Sequence, residues 1–244
     1  MGNSFFDFIR MEFQFKHFSL NHSRSTMKVG TDAVLLSGVA PHNRVGKILD
    51  IGTGCGVVAM LMAQFNPHAH VTAIDIDHAS TQQAAENFAQ SPYHDRLQVI
   101  NTKFQDFASN PDNHNSYSLI VSNPPYFVNS LNAPQQRRHL ARHTDMLPFP
   151  ELVGGILKII APFACVTLIL PPIQSEDVRM RFEANGMHLV QQTEVLSKSS
   201  KPVERIINTY STIAHRLETS TITIRQNDNT YTSQYKNLVS DILL

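Results

Sequence analysis

A short apolar run that ends at Asp50 and opens into three spaced glycines restricts the fold of this chain more than any other feature. It reads Lys47-Ile48-Leu49-Asp50-Ile51-Gly52-Thr53-Gly54-Cys55-Gly56, a strand passing into a glycine-rich turn. Residues 57–64 continue as a helix. Glycine permits tight turns and the close approach of a ligand that a β-carbon would block. A phosphate loop would end in Gly-Lys-Ser/Thr, which is absent. A dinucleotide fingerprint wants its third glycine at position 57, where Val57 stands. A plain βα turn with structural glycines stays open.

The rest of the chain alternates strand with helix, which predicts a parallel sheet covered on both faces. Strands are expected at 47–51, 71–75, 97–101, 117–122 and 164–170, and helices at 57–65, 79–90, 148–160 and 175–185. Residues 190–196, 204–212 and 219–225 are rich in β-branched side chains with no long helix between them. They are expected as antiparallel additions at one sheet edge. Residues 227–234 read as a polar loop and 235–244 as a closing helix. Near the start, Phe13, Phe15 and His17 alternate along an expected strand, and Phe18 and Leu20 continue it after a change of face. Thr31 or Asp32 is placed to cap the helix that carries Ala33 to Ala40. With 244 residues and neither repeats nor long linkers, one domain is expected over 1–244, with 1–40 as a lid and cap.

Several strand ends carry polar groups that fit a nucleoside and an amine. Val71-Thr72-Ala73-Ile74 runs into Asp75, about 20 residues beyond the glycine turn, where a ribose-binding acid belongs. A carboxylate accepts hydrogen bonds from two neighbouring hydroxyls. Asp77 is the weaker candidate, since it is placed to cap the next helix. Asp106 follows the 97–101 strand; taken alone it is an ordinary solvated acid. The fourth strand ends in Asn123-Pro124-Pro125-Tyr126, with Phe127 next. Proline fixes the backbone and has no amide proton, yet its carbonyl still accepts. A planar amine needs two acceptors and a ring to stack on, and Asn123, Pro124 and Tyr126 supply them. An ordinary strand-to-loop turn is the competing reading of the tetrapeptide.

Composition narrows the class. Apolar residues make up 42% of the chain, enough for a core, yet no run reaches the roughly 18 residues of a membrane span. No basic-then-apolar leader is visible, because Asp7 and Arg10 interrupt Phe5, Phe6, Phe8 and Ile9. Cys55 and Cys165 alone make neither a disulfide framework nor a zinc site, which fits the cytoplasm. His139 and His143 are four apart, but two ligands do not make a metal site and none is expected. Zero formal net charge argues against coating nucleic acid non-specifically. A local basic patch is another matter. Arg137, Arg138 and Arg142 directly follow the Asn-Pro-Pro-Tyr run and are expected to contact a nucleic-acid backbone. Lys198, Lys201 and Arg205, around Pro202, form a second cluster; either cluster could be a solvated face.

The spacing Asp-x-Gly-x-Gly-x-Gly over Asp50, Gly52, Gly54 and Gly56 resembles the first motif of class I S-adenosylmethionine-dependent methyltransferases. Asn-Pro-Pro-Tyr is shared by many amino-methyltransferases. The segment Met27-Lys28-Val29-Gly30-Thr31-Asp32-Ala33-Val34-Leu35-Leu36 narrows the family. With Phe18-Ser19-Leu20-Asn21-His22-Ser23 before it and Lys201-Pro202-Val203-Glu204-Arg205 late in the chain, it resembles the bacterial tRNA(Val) adenine-N(6)-methyltransferases over nearly the whole length. The resemblance implies a Rossmann-like α/β fold and methylation of the adenine just 3′ of the anticodon. It implies S-adenosyl-L-methionine as cofactor and tRNA as partner; the oligomeric state is left open, with a monomer favoured. It places Asp50, Gly52, Gly54, Gly56, Asp75, Asp106 and Asn123 on the cofactor, with Lys28 and Thr31 closing over it. It places Pro125, Tyr126 and Phe127 on the target base. Two other readings remain: an amino-methyltransferase of rRNA guanine, DNA adenine or release-factor glutamine, and a non-catalytic RNA-binding module.

Overall fold

The computed structural model of the chain describes residues 12–25, 29–125 and 147–244. A small hairpin comes first, made of β1 (Glu12–Gln14) and β2 (Ser19–Asn21). Helix α1 (Thr31–Val39) follows. The chain then alternates through β3 (Gly46–Ile51), α2 (Val57–Phe65), β4 (Ala69–Asp75), α3 (His78–Gln90), β5 (Leu97–Asn101), α4 (Phe104–Ser109) and β6 (Tyr117–Ser122). The later half contributes α5 (Phe149–Ile159), β7 (Ile160–Leu170), α6 (Pro172–Ala184), β8 (His188–Lys198), β9 (Arg205–Ser211), β10 (Glu218–Arg225) and α7 (Ser233–Val239).

Eight strands form one sheet in the order β10-β8-β9-β7-β6-β3-β4-β5. This is the expected α/β architecture, a mostly parallel sheet with helices on both faces. One face carries α1, α2, α3, α7 and the hairpin; the other carries α4, α5 and α6. Strands β3, β4 and β6 are buried on both sides, so they read as near-continuous apolar runs. Helix α2 is buried throughout 57–63, which explains why its Val, Ala, Met and Leu residues show no polar face. No helix among the described residues is long and apolar enough to cross a membrane.

The strand order reverses beside β3. The chain lays β4 and β5 on one side of it, then returns to lay β6 on the other. Such a reversal opens a crevice outside the carboxyl ends of the two strands. Ile51 stands opposite Ser122, whose hydroxyl donates to the Ile51 carbonyl at 2.7 Å. The glycine turn and the Asn-Pro-Pro segment therefore leave the sheet side by side.

Four expectations need correction. Among the late strands only β9 runs antiparallel, to both β7 and β8; β10 is parallel to β8. The cause is the path: β10 starts at the end where β9 stops, but steps across to the outer side of β8. Helix α1 is not capped by Thr31 or Asp32. Its N-cap is Gly30, with no side-chain cap, and the Asp32 carboxylate instead accepts from Arg205 Nε at 2.8 Å. Phe13 and Phe15 do not share a long strand with His17. The chain turns there, with Phe15 N–H donating to the Phe18 carbonyl at 2.8 Å and the two rings stacked at 4.7 Å. Finally, β7 begins at Ile160, earlier than expected, and its register against β6 shifts near Phe163, a residue at φ 61°.

Candidate active site

The glycine turn is built by its own backbone. The Gly52 and Thr53 amides both donate to the Ile74 carbonyl, at 2.9 and 3.0 Å, and the Gly56 amide donates to Thr53 at 2.9 Å. Gly52 has φ 75°, and open space lies where a β-carbon would be, so ligand can approach the main chain there. Gly56 has φ 90°, and a β-carbon there would come within 2.5 Å of the Phe88 ring. The first glycine leaves its main chain open to approach, and the third serves the packing of α2 on α3.

Asp50 lies under the turn, 1% exposed, with its Oδ2 accepting from the Thr53 hydroxyl at 2.7 Å. Burial pushes its carboxyl up to about 7, partly opposed by the Thr53 hydrogen bond. Asp75 ends β4 half-buried and ties two loops together. Its Oδ2 accepts from the Gly54 amide at 2.8 Å and its Oδ1 from the Asp77 amide at 2.9 Å. Burial raises its pKa and these two backbone amides oppose the rise. Asp77 caps α3, accepting from the Ser80 amide at 2.8 Å. Asp106 sits exposed in the first turn of α4 and does not line the cavity described next.

A cavity of about 380 Å³ opens at the strand reversal. Asp50, Gly52, Gly54 and Asn123 line it, together with Thr31 at the start of α1. Asn123 Oδ1 is buried and has no hydrogen-bond partner among the described residues. A buried acceptor without a donor is costly unless something supplies one. The other such atom, Asn208 Oδ1, does not line the cavity. Pro124 is buried and Pro125 exposed. Lys28, Tyr126, Phe127, Arg137, Arg138 and Arg142 lie outside the described residues, as do His139 and His143.

The sequence reading missed part of this wall. Val195, Glu204, Arg205 and Ile224 reach the cavity from β8, the β8–β9 turn, β9 and β10. Of the second basic cluster, Lys201 faces outward, whereas Arg205 turns toward the cavity. Asn87 was also missed. Its amide donates at 2.8 Å both to the Cys55 carbonyl of the glycine turn and to the Asn21 carbonyl of the hairpin, and its Oδ1 accepts from the Asn21 amide at 2.9 Å. The signal was legible in retrospect: a carboxamide on the helix face shared by Ala84 and Phe88 has to find buried partners.

A turn with positive-φ glycines, an acid ending the next strand, and a buried carboxamide acceptor across the strand reversal suit a nucleoside cofactor facing an amine. This combination of fold and site defines a class I methyltransferase. The chain matches the family model of the methyltransferase small domain over residues 12–144. It is similar in fold to a predicted O-methyltransferase from Agrobacterium tumefaciens, at TM-score 0.69 and 16% identity, covering 86% of this chain and 96% of that one. It is also similar to TYW2 of P. horikoshii in complex with MeSAdo, at TM-score 0.58 and 14% identity, covering 82% and 70%. Nearer relatives fix the family. A Bacteroides fragilis protein is 36% identical over 232 residues, 95% of this chain and 97% of that one. A Parabacteroides distasonis protein is 37% identical over 233 residues, again 95% and 97%. Both bear the name tRNA1(Val) (adenine(37)-N6)-methyltransferase, and the chain belongs to that family.

Proposed function

We propose that this protein transfers a methyl group from S-adenosylmethionine to the exocyclic amine of an adenine in tRNA, the adenine 3′ of the anticodon in tRNA(Val). The observation that carries this reading is Asn123 Oδ1, a buried acceptor left without a donor on the wall of the cavity. An amine N–H is the donor it lacks. The bound cofactor supplies an electrophilic methyl on a sulfonium, and the chain's work is to orient the amine toward it.

Asn123 Oδ1 accepts one amine proton and the Pro124 carbonyl accepts the other. Each hydrogen bond draws the nitrogen from planar toward tetrahedral and frees its lone pair. These bonds strengthen as the nitrogen becomes cationic, so they favour the transition state over the ground state. Positioning does most of the rest. Stacking of the extruded base on Tyr126 contributes about 1–3 kcal/mol, with Pro125 and Phe127 beside it. Asp75 takes the ribose hydroxyls of the cofactor and the Gly52–Gly54–Gly56 turn its amino-acid end, with Lys28 and Thr31 closing over it. Arg137, Arg138 and Arg142 contact the tRNA backbone.

The test is mass spectrometry of tRNA nucleosides from cells with and without this protein, paired with methyl transfer in vitro to tRNA, rRNA, DNA and release factor. Loss of N6-methyladenosine from tRNA supports the reading. Unchanged tRNA, with methyl transfer to one of the other substrates, overturns it.

A further inference from the structure

We propose that Arg205, anchored by Asp32, is the residue that recognises the α-carboxylate at the amino-acid end of the cofactor. The inference rests on the reading of S-adenosylmethionine as cofactor and extends it to a residue late in the chain. Arg205 opens β9. Because β9 runs opposite to its neighbours, its first residue, not its last, lies at the edge of the sheet where the parallel strands end. That edge holds the glycine turn and Asn123. Arg205 lines the same cavity as Gly52, Gly54 and Asn123.

Its geometry is fixed from two sides. Arg205 Nε donates to Asp32 Oδ2 at 2.8 Å, and Nη1 donates to the Glu204 carbonyl at 2.8 Å. The two ion-paired side chains are 27% and 25% exposed, so the pair is partly withdrawn from solvent. A guanidinium held in one plane is prepared for a carboxylate, which it meets with paired N–H donors.

Charge selects the ligand end. The described side chains lining the cavity include the carboxylates of Asp32, Asp50 and Glu204, and Arg205 is the cation among them. An amino-acid end brings both an ammonium and a carboxylate. The acids suit the ammonium, while the carboxylate needs a positive group within reach, and Arg205 offers it. The first turn of α1, at Gly30–Thr31–Asp32–Ala33, lines the same cavity and adds the positive end of a helix.

Calorimetry with two ligands separates this role from a structural one. S-adenosylhomocysteine keeps the amino-acid end, and 5′-methylthioadenosine lacks it. Arg205→Gln still donates to Asp32 but loses the charge. It should weaken S-adenosylhomocysteine by roughly 10- to 100-fold, as expected for losing a charge-assisted hydrogen bond. Its affinity for 5′-methylthioadenosine should match the unaltered protein. Arg205→Lys keeps the cation without the planar fork and should fall between, and it carries the test if the Gln variant does not fold. Parallel loss of both ligands, or unchanged binding of S-adenosylhomocysteine in the folded variants, overturns the inference. If the unaltered protein binds neither ligand, the cofactor reading itself fails instead.

Discussion

Replacing Asp50 with Asn tests the electrostatics of the site without changing its shape. The Asn oxygen can still accept from the Thr53 hydroxyl at 2.7 Å, so the side chain keeps its size and that partner while the charge goes. Burial raises the Asp50 carboxyl from 3.8 to about 7 in the folded chain, with Asp75 adding a smaller repulsion. At about 1.4 kcal/mol per pH unit, that rise makes ionising the buried group cost about 4 kcal/mol. The direction follows from linkage. Below pH 3.8 the group is protonated both folded and unfolded, and it costs nothing. Between 3.8 and about 7 only the unfolded chain ionises it, so stability falls as pH rises, and above about 7 the loss is complete. Asp50→Asn escapes this loss. Denaturant unfolding of the ligand-free proteins should therefore show the Asn variant gaining about 3 kcal/mol on the unaltered chain between about pH 5 and pH 8. All other titrating groups are common to both proteins and cancel in the difference. A difference that stays flat across this range would refute the raised pKa of the buried Asp50 carboxyl in the ligand-free protein.

Three further outcomes are expected. Asn123→Ala should leave S-adenosylmethionine affinity unchanged and reduce turnover on tRNA by about 100-fold or more, since the lost acceptor acts mainly in the transition state; near-normal turnover removes the amine-acceptor mechanism. Asp75→Ala should weaken cofactor binding by about 1–3 kcal/mol in calorimetry. It should also loosen the glycine turn, because the Gly54 amide loses its acceptor. Changing Arg137, Arg138 and Arg142 together to Ala should weaken tRNA binding and flatten its salt dependence, with cofactor affinity untouched; normal binding across a salt titration would make these arginines a solvated face.

The central strands and their polar ends could be read directly from the chain. The apolar runs before Gly52, Asp75 and Asn123 are short, bounded and doubly buried, and in a parallel sheet the residues that follow such runs share one edge. That is why Gly52 and Asn123 line one cavity although many residues separate them, with Asp75 tied to the same turn through the Gly54 amide. What escaped reading depends on contacts between distant segments. Whether β10 runs parallel or antiparallel is decided by which side of β8 it joins, and no local pattern encodes that. Thr31 and Asp32 look like caps because their chemistry suits one, yet Asp32 has its partner 173 residues away. Helix α4 has only six residues, too few to show a helical period. The wall contributed by Val195, Arg205 and Ile224 was invisible for the same reason as the direction of β10.

The hairpin and the segment that follows α7 hold one another, and this sets an order of events during synthesis. The Lys16 amide donates to the Ile242 carbonyl at 2.9 Å, while its ammonium reaches the Ser240 carbonyl at 2.9 Å and the Asp241 carboxylate at 3.1 Å. The partners in the Lys16–Ser240 bond are 224 residues apart. Contacts that close so long a loop carry a high entropic cost before they give anything back. The Asn87 bonds join hairpin, glycine turn and α3 at much shorter separation, 66 and 32 residues. A ribosome that has finished α3 has already made every group in that clasp, whereas the Lys16 contacts must wait for residues 240–242. The glycine turn can thus be shaped early, and the hairpin is locked from its second side only after α7 has been made.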